Sequence, residues 1–448
     1  MSHTTSRPWR RATALAAAGA AAALALVACS GGSDPAPADD GATIDPEEVS
    51  GEITVWSWST NASDLADLFM EEYPNIEVEM VDPGGGTTTM EKLLTAFQSG
   101  SGAPDVAMME YNFIPQFALT GDIIPIDDLG GAAILDDYIP SIANQLTVND
   151  QMYGTPIDAS PMAFIYRADI LEAAGVEPPT TWAEFAEAAA ALQEASPGTY
   201  LANNPIADGT LRYLLWQTGE SPIEIDGENI TIAYDRPEYQ EVLAYWQDLA
   251  EQDLTGDLPI WSPEWNAAFA DGTLAGWIGP AWAPVILGTS AESSAGQWRV
   301  SQMPTWEAGE RMSAEWGGSA YTVTSQSDNP EAAAAYVTWV NHAPEAYELL
   351  YELTGSFPVL TSYVEDEEFL AEPFEFFGGQ AVNQVFAEEL QAVPGNWQWS
   401  PFNSTVNQVT GEVFTDLREG SVTPEEATAQ IQEQLVDYAA EQGFTVNE

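Results

Sequence analysis

Side chains suited to ligand binding follow two predicted strands near the start of the chain. Trp58 comes directly after the first of these strands, and Glu110, Tyr111 and Asn112 come after a later, buried one. An aromatic ring covers an apolar face of a ligand, while carboxylate and amide groups exchange hydrogen bonds with its polar rim. We expect these four side chains to line a ligand site. Packing in the core or on the surface would explain each of them as well.

A predicted extended segment, Gly154–Arg167, carries further polar side chains. Pro156 and Pro161 keep it extended, because proline donates no backbone hydrogen bond and disfavours helix at the preceding residue. We interpret the segment as a strand that crosses between two folded lobes, with Asp158 and Ser160 facing the cleft between them. An ordinary strand inside a single domain would account for the same local sequence.

Four tryptophans outside these segments are candidates for stacking on a ligand. They are Trp282, which follows Gly279-Pro280 in a loop, Trp316, Trp397 and Trp399. Gly317 and Gly318 come directly after one of them, and glycine allows the backbone to approach a ligand closely. The chain has 16 tryptophans, and the competing interpretation of each is packing in the core or on the surface.

Catalytic triads and metal sites have few candidate residues in this sequence. The chain contains one cysteine and two histidines, and His3 lies in the leader described below. A zinc site or a Ser-His-Asp triad would therefore depend on His342. That residue lies between two predicted helices, where the C-terminal end of the first helix favours a positive imidazole. We predict neither a metal site nor a cofactor.

The charge balance is strongly acidic. The chain has 70 Asp and Glu residues against 10 Lys and Arg residues, a formal net charge of −60. Nucleic acid and anionic membrane surfaces are poor partners for such a chain. High ionic strength would screen the self-repulsion, so we expect a salty or alkaline exterior. A composition typical of the source lineage would also explain the acidity.

The first 28 residues have the features of a secretory leader. Arg7, Arg10 and Arg11 precede the apolar run Ala14–Val27, which is too short to span a bilayer and suits a signal peptide. The run ends in Leu-Val-Ala before Cys29, which resembles the lipobox of bacterial lipoproteins. That resemblance implies cleavage before Cys29 and lipidation of its sulfur. Ordinary cleavage beside a chance cysteine is the alternative.

The leader is followed by a polar segment and then by a long globular region. Residues 29–50 are poor in large apolar side chains and predict a flexible tether. The full length of 448 residues exceeds what one hydrophobic core of ordinary size accommodates, so we expect two lobes.

Strands and helices alternate in the first part of the globular region. The predicted strands are Ile53–Trp56, Ile76–Val81 and Asp105–Met109, and the helices between them are Ser63–Tyr73 and Thr89–Gln98. This alternation predicts a parallel sheet with helices on its faces. Ligands of such sheets bind beyond the carboxyl ends of the strands, where Trp58 and Glu110 lie.

Local signals also define elements further along the chain. Thr181–Glu184 and Thr423–Glu426 each fit a capping box at the start of a helix. Asp226-Gly227, between two apolar alternating runs, predicts a β-hairpin. The tail after Phe374 is predicted to be mainly helical.

Stretches in a defined order resemble the carbohydrate-type extracellular solute-binding proteins of ABC importers, the family that includes maltose-binding protein. These stretches are Ile53–Trp58, Gly100–Val106, Gly121–Pro125, Tyr153–Tyr166, Ala173–Phe185, Gly272–Trp282 and Trp316–Trp339. Each is weakly specific by itself. Their common order and spacing make the resemblance specific.

The resemblance implies a type II periplasmic-binding-protein fold, in which two α/β lobes are joined by crossover strands around a ligand cleft. Crossings are expected near Ile157–Ser160, near Met303–Pro304 and at 365–375. Lobe 1 would comprise residues 51–157 and 304–370, and lobe 2 residues 158–303 and 371–448.

The resemblance also implies a function without catalysis. A monomer would capture a sugar or oligosaccharide in the cleft, close on it by hinge motion, and deliver it to the transmembrane permease subunits. Sugars present apolar CH faces to aromatic rings and hydroxyl groups to carboxylates and amides. Trp282 resembles the tryptophan that the family places in the cleft.

A secreted glycoside hydrolase is the alternative from a different class of protein. Such an enzyme needs two carboxylates that flank the scissile bond. With 70 acidic residues in the chain, paired carboxylates are expected everywhere, so their presence does not favour this alternative.

Overall fold

The computed structural model describes Ile44 and residues 48–59, 61–227 and 229–447. The predicted signal peptide, the lipidation site Cys29 and most of the tether lie outside the described residues. Within the described part, no helix is both long enough and apolar enough to cross a membrane.

The described strands and helices are as follows. The strands are β1 Gly51–Trp56, β2 Ile76–Val81, β3 Val106–Glu110, β4 Thr147–Val148, β5 Gln151–Met152, β6 Thr155–Pro156, β7 Met162–Arg167, β8 Ile223–Asp226, β9 Asn229–Ile232, β10 Gly276–Pro280, β11 Trp298–Ser301, β12 Ser319–Val323 and β13 Thr445–Asn447. The α-helices are α1 Ala62–Glu72, α2 Gly86–Ser99, α3 Ile114–Thr120, α4 Pro140–Ala143, α5 Ala168–Ala174, α6 Trp182–Ala195, α7 Pro205–Asp208, α8 Leu211–Leu214, α9 Pro237–Glu251, α10 Pro263–Asp271, α11 Ala283–Ser290, α12 Pro330–Val340, α13 Pro344–Thr354, α14 Thr361–Val364, α15 Glu367–Leu370, α16 Val382–Gln391, α17 Asn403–Arg418 and α18 Pro424–Glu441. Short 3-10 helices include Tyr111–Phe113 and Asn144–Leu146.

The first lobe is built on a five-stranded sheet in the order β2-β1-β3-β12-β6. β1 pairs in parallel with β2 and with β3, which confirms the predicted parallel arrangement. β12 lies antiparallel between β3 and β6. Alternating residues of β1, Ile53 and Val55, are fully buried, and α1 packs Leu65 and Phe69 into the same core.

The second lobe is built on an antiparallel sheet in the order β10-β7-β11. Helix α16 packs against β7 and β11, and helix α6, which begins at the predicted capping box, packs Phe185 against Phe164 of β7. The backbone N–H of Glu184 donates to Thr181 Oγ1 at 3.1 Å, and the Glu184 side chain accepts from the backbone of Thr181 at 3.3 Å. Buried Trp182 and Phe185 of this helix pack with Trp246 of α9.

A third, smaller sheet has the order β13-β9-β8. Antiparallel β8 and β9 form the predicted hairpin. β13, at the end of the chain, joins β9 in parallel, a pairing that the largely helical prediction for the tail did not include. The capping box at Thr423 is present at the start of α18.

The segment Gly154–Arg167 connects the first two sheets. β6 belongs to the first sheet and β7 to the second, so the chain passes between the lobes at Ile157–Pro161. A second crossing runs antiparallel to it, because the backbone N–H of Trp316 donates to the carbonyl of Ser160 at 3.0 Å.

The second crossing lies later in the chain than predicted. The expected position was Met303–Pro304. The carbonyls of Pro304 and Met312 both accept hydrogen bonds from the side chain of Gln217, which follows α8 in the second lobe. The chain therefore stays against the second lobe until it approaches β12. These contacts join residues far apart in the chain, so local sequence patterns do not reveal them.

Candidate functional site

The crossing strands place Asp158 between the lobes. One carboxylate oxygen accepts from the backbone N–H of Ser319 at 2.9 Å, and the other accepts from the Ser160 hydroxyl at 3.4 Å. Burial raises the pKa of Asp158 to about 6, and these hydrogen bonds oppose the shift. Both predicted residues of the segment therefore lie at the junction of the lobes, and Asp158 remains partly exposed.

A second carboxylate, Glu315, is fully buried beside them. Its oxygens accept from the backbone N–H of Ser160 at 3.2 Å and from the Gln145 amide at 2.7 Å. Burial raises the pKa of Glu315 to about 7. The Gln145 carbonyl oxygen in turn accepts from the indole N–H of Trp399 at 2.9 Å. This buried chain of hydrogen bonds ties the crossing strands to the C-terminal tail.

The first lobe contributes Trp58 and Glu110. A side-chain carbon at Gly86 would lie 2.7 Å from the Glu110 carboxylate and 3.8 Å from the Trp58 ring, so both side chains converge on the first residue of α2. Burial raises the pKa of Glu110, and the positive charge of Arg212 and a hydrogen bond from Asn112 oppose the shift.

The second lobe and the second crossing together contribute a continuous row of aromatic rings, which we call the aromatic wall: Trp261, Trp282 and Tyr213 from the lobe, and Trp316 from the crossing. Successive ring centroids are 5.8, 5.3 and 5.8 Å apart. The indole N–H of Trp282 donates to the Trp316 carbonyl at 3.2 Å. Trp282 is half-buried, Trp316 is nearly buried, and Trp261 is 53% exposed.

Three residues at the ends of this wall, Trp261, Tyr213 and Arg212, were not predicted from the sequence. Trp261 has a positive φ of 65°, and no periodic pattern distinguishes it from a packing tryptophan. Tyr213 stacks on Trp316 and lies under the guanidinium of Arg212, 4.8 Å from its ring centroid. The one feature of the sequence that pointed to Arg212 was the rarity of basic residues, since the chain has only 10 Lys and Arg residues.

Three predicted residues have supporting positions. Tyr111 is 1% exposed, and its hydroxyl donates to the Asp158 carbonyl at 2.7 Å. A side chain at Gly318, where φ is +105°, would collide with the Tyr111 ring. Gly317 has a φ of +102°, and a side-chain carbon there would lie 3.6 Å from the Trp282 indole nitrogen and 3.7 Å from the Ser160 hydroxyl.

Trp397 and Trp399 lie in a separate group, which we call the tail cluster, together with Trp216. Trp397 stacks on Trp216 with ring centroids 4.7 Å apart, and Trp399 meets Trp216 edge-on at 5.6 Å. Both predicted residues border a groove between residues 144–150 and residues 225–227. The predicted tryptophans therefore divide between two clusters.

Apart from Trp397 and Trp399, the predicted site residues thus occupy one region around the crossing strands. Trp58, Glu110, Asp158, Ser160, Trp282, Trp316 and Gly317 surround the junction, and Tyr111, Asn112 and Gly318 lie behind it. Ligand contact by each of them remains a prediction. Aromatic rings from one lobe and carboxylates from the other are the groups that recognise a neutral polyhydroxyl ligand.

Residues 64–375 match the model of the bacterial extracellular solute-binding protein family. The chain belongs to this family. The solute-binding protein is 27% identical over 421 residues to the arabinooligosaccharide-binding protein of Halalkalibacterium halodurans, covering 89% of this chain and 92% of the relative. It is 25% identical over 369 residues to the lactose-binding protein of Rhizobium radiobacter, covering 77% and 83% of the two chains.

A solved structure gives the same result for the fold. The solute-binding protein superposes with a TM-score of 0.78 on the ABC-transporter-associated binding protein of B. animalis subsp. lactis Bl-04, solved in complex with β-1,6-galactobiose. The two are 32% identical, and the match covers 89% of this chain and all of the other. The two-lobe α/β fold is therefore confirmed.

Proposed function

We propose that this protein is the substrate-binding component of an ABC importer, capturing a sugar or oligosaccharide in the cleft between its lobes and delivering it to the permease. The observation that carries the proposal is the aromatic wall beside the crossing strands, where Gly317 lies between Trp282 and Ser160 and the charge of Glu110 acts on Asp158. The rings would cover the apolar faces of sugar units, and the carboxylates would accept hydrogen bonds from hydroxyl groups.

The relatives suggest which sugars to test. β-1,6-Galactobiose and lactose both contain galactose, and they are the ligands of two relatives that cover most of this chain. We take a galactose-containing disaccharide as the first ligand class and arabino-oligosaccharides as the second.

A hydrolase is not supported. The matched family is a class of solute-binding proteins, and the relatives reported above are sugar-binding proteins.

We also propose how the N-terminal segment is processed and where the two lobes begin and end. Residues 1–28 would be removed, Cys29 would carry lipid, and residues 29–50 would tether a monomer to the outer face of the cytoplasmic membrane. The lobes would follow the predicted boundaries, apart from the later second crossing. Cys29→Ser should release the protein from the membrane fraction, and unchanged membrane association would contradict the anchor.

Thermal unfolding with a panel of sugars tests the function. A ligand at 100 times its dissociation constant adds about 2.7 kcal/mol of stability, so β-1,6-galactobiose, lactose or an arabino-oligosaccharide should raise the melting temperature. Chromatography of the recovered sugar should show it intact. A melting temperature unchanged by every sugar would contradict the proposal, and so would cleavage products.

A further inference from the structure

A small cavity next to the candidate site holds an unusual concentration of unpaired polar atoms. Among the described residues, nine buried side-chain nitrogen and oxygen atoms have no hydrogen-bond partner, and four of them belong to residues that line this cavity. These four are Asn112 Oδ1, Arg212 Nε, Trp397 Nε1 and Asn403 Nδ2. Because buried polar groups in native proteins are nearly always paired, the cluster indicates an occupant.

The residues of the cavity come from both lobes. Asn112 follows β3 in the first lobe, while Arg212 lies on α8 of the second lobe. Trp397 and Asn403 belong to the C-terminal tail, whose helix α17 packs against α7 and also contacts the 3-10 helix Tyr111–Phe113. An occupant therefore contacts both sides of the cleft at once.

Arg212 contributes a charge without a direct counter-ion. Its two terminal nitrogens donate to Asn407 Oδ1 at 2.6 Å and to the Tyr213 hydroxyl at 3.0 Å. Among the described residues no carboxylate oxygen lies within 4.0 Å of it. Glu110 of the first lobe is the acid whose charge acts on it. Its Nε is therefore a buried donor that remains available beside the candidate site.

The pattern of unpaired atoms favours a neutral hydroxyl group over an ion. Three of the atoms are donors, and Asn112 Oδ1 is an acceptor. A hydroxyl both donates and accepts, so it can pair with the three donors and with the acceptor. An anion would be repelled by the Asn112 oxygen and by the acidic chain, whose formal net charge is −60. The cavity measures about 30 Å³, which admits one or two groups the size of water.

We propose that this cavity is a subsite for one hydroxyl-bearing arm of the captured sugar, and that Asn112, Arg212, Trp397 and Asn403 select ligands that carry this hydroxyl. The inference rests on the proposed function and deepens it. Because the subsite spans both lobes, a hydroxyl bound there also holds the cleft closed.

A pair of matched substitutions tests the subsite. Trp397→Phe removes one unpaired N–H and keeps a ring on Trp216. Trp246→Phe removes another buried, unpaired indole N–H from the core of the second lobe, where Trp246 packs with Trp182, Phe185 and Tyr245. Both substitutions remove one buried, unpaired indole N–H, but only Trp397 lines the cavity.

Calorimetric titration with β-1,6-galactobiose and with lactose measures the effect. Loss of one hydrogen bond, converted at 1.4 kcal/mol per tenfold, weakens affinity roughly 2- to 12-fold. We expect this loss for Trp397→Phe and also for Asn403→Leu, which removes an amide at similar volume. Trp246→Phe should bind as the wild type does.

The possible results separate the two proposals. If the wild type binds sugar and both cavity variants bind it equally well, the cavity holds only water and the subsite inference is overturned, while the proposed function stands. If the wild type binds neither these disaccharides nor an arabino-oligosaccharide, the proposed function fails and the subsite with it.

Discussion

The aromatic wall and the tail cluster are both rich in tryptophan, but they differ in exposure. In the wall, Trp261 is 53% exposed and Trp282 is half-buried. In the tail cluster, Trp216 is 1% exposed, Trp397 is 7% exposed, and Trp399 alone is half-buried. Ring surface that faces solvent is available to a ligand, whereas ring surface already covered by protein stabilises the fold. We therefore expect the solvent-facing rings of the wall to act in recognition, and the buried ring of Trp216 in the tail cluster to act in packing.

Replacing Trp216 should have the largest effect on stability. Its ring is buried between Trp397 and Trp399, and its N–H donates to the Pro394 carbonyl at 3.0 Å. Trp216→Ala should cost about 3–5 kcal/mol of unfolding free energy, as buried Trp→Ala substitutions do. Urea unfolding measures this cost. A midpoint equal to that of the wild type would show that the tail cluster does not support the fold.

Replacing Trp282 should act on affinity instead. Stacking of a ligand ring on an aromatic side chain contributes roughly 1–3 kcal/mol in nucleic-acid complexes, and we apply this range by analogy. Trp282→Ala should weaken sugar binding by roughly 5- to 150-fold and change the urea midpoint little. Unchanged affinity with a collapsed midpoint would assign Trp282 to the core and remove the distinction between the clusters.

The crossing strands between the two clusters should give stability a pH dependence. Burial raises the pKa of Asp158 from an ordinary 3.8 to about 6, so the folded protein binds more protons at this residue than the unfolded chain does. The contribution of Asp158 to the free energy of unfolding is therefore fully present below about pH 4 and is lost as the pH rises through about 6.

Asp158→Asn should therefore flatten the stability profile in that range, by up to about 1.4 kcal/mol per pH unit. The amide oxygen can still accept from the Ser319 N–H, which limits structural change. Glu315 remains in the variant, and its pKa of about 7 preserves the decline at higher pH. Urea melts of variant and wild type across this range measure the difference, and parallel profiles would rule out Asp158 as the titrating group.

Trp261 should give the smallest effect, since it lies at the exposed end of the wall. Trp261→Ala removes one edge of the stacking surface and loses few packing contacts, because the side chain is 53% exposed. We expect affinity to fall roughly 2- to 12-fold, at about 0.5–1.5 kcal/mol for an aromatic pair, with no change in melting temperature. Equal affinity would confine the binding surface to Trp282 and its buried neighbours.

Features governed by local rules could be predicted from the sequence. The capping boxes at Thr181 and Thr423 and the hairpin at Asp226-Gly227 depend on residues close in the chain. The parallel pairing of β1 with β2 and β3 follows from the regular alternation of strands and helices. The crossing at Asp158 and the loop position of Trp282 could also be predicted, because proline and glycine mark both of them.

Features that depend on distant contacts could not be predicted. β12 enters the first sheet between β3 and β6, and β13 joins β9 from the end of the chain. Arg212, Trp261 and Glu315 carry no local motif, and only the tertiary fold brings them to the crossing strands. The division of the tryptophans between two clusters follows from the same long-range packing.

Calorimetric titration of the wild-type protein with β-1,6-galactobiose measures directly whether a sugar binds between the lobes. We expect saturable binding of one sugar per protein, with the disaccharide recovered intact afterwards. Absence of binding to this sugar, to lactose and to arabino-oligosaccharides would contradict capture of a sugar between the lobes.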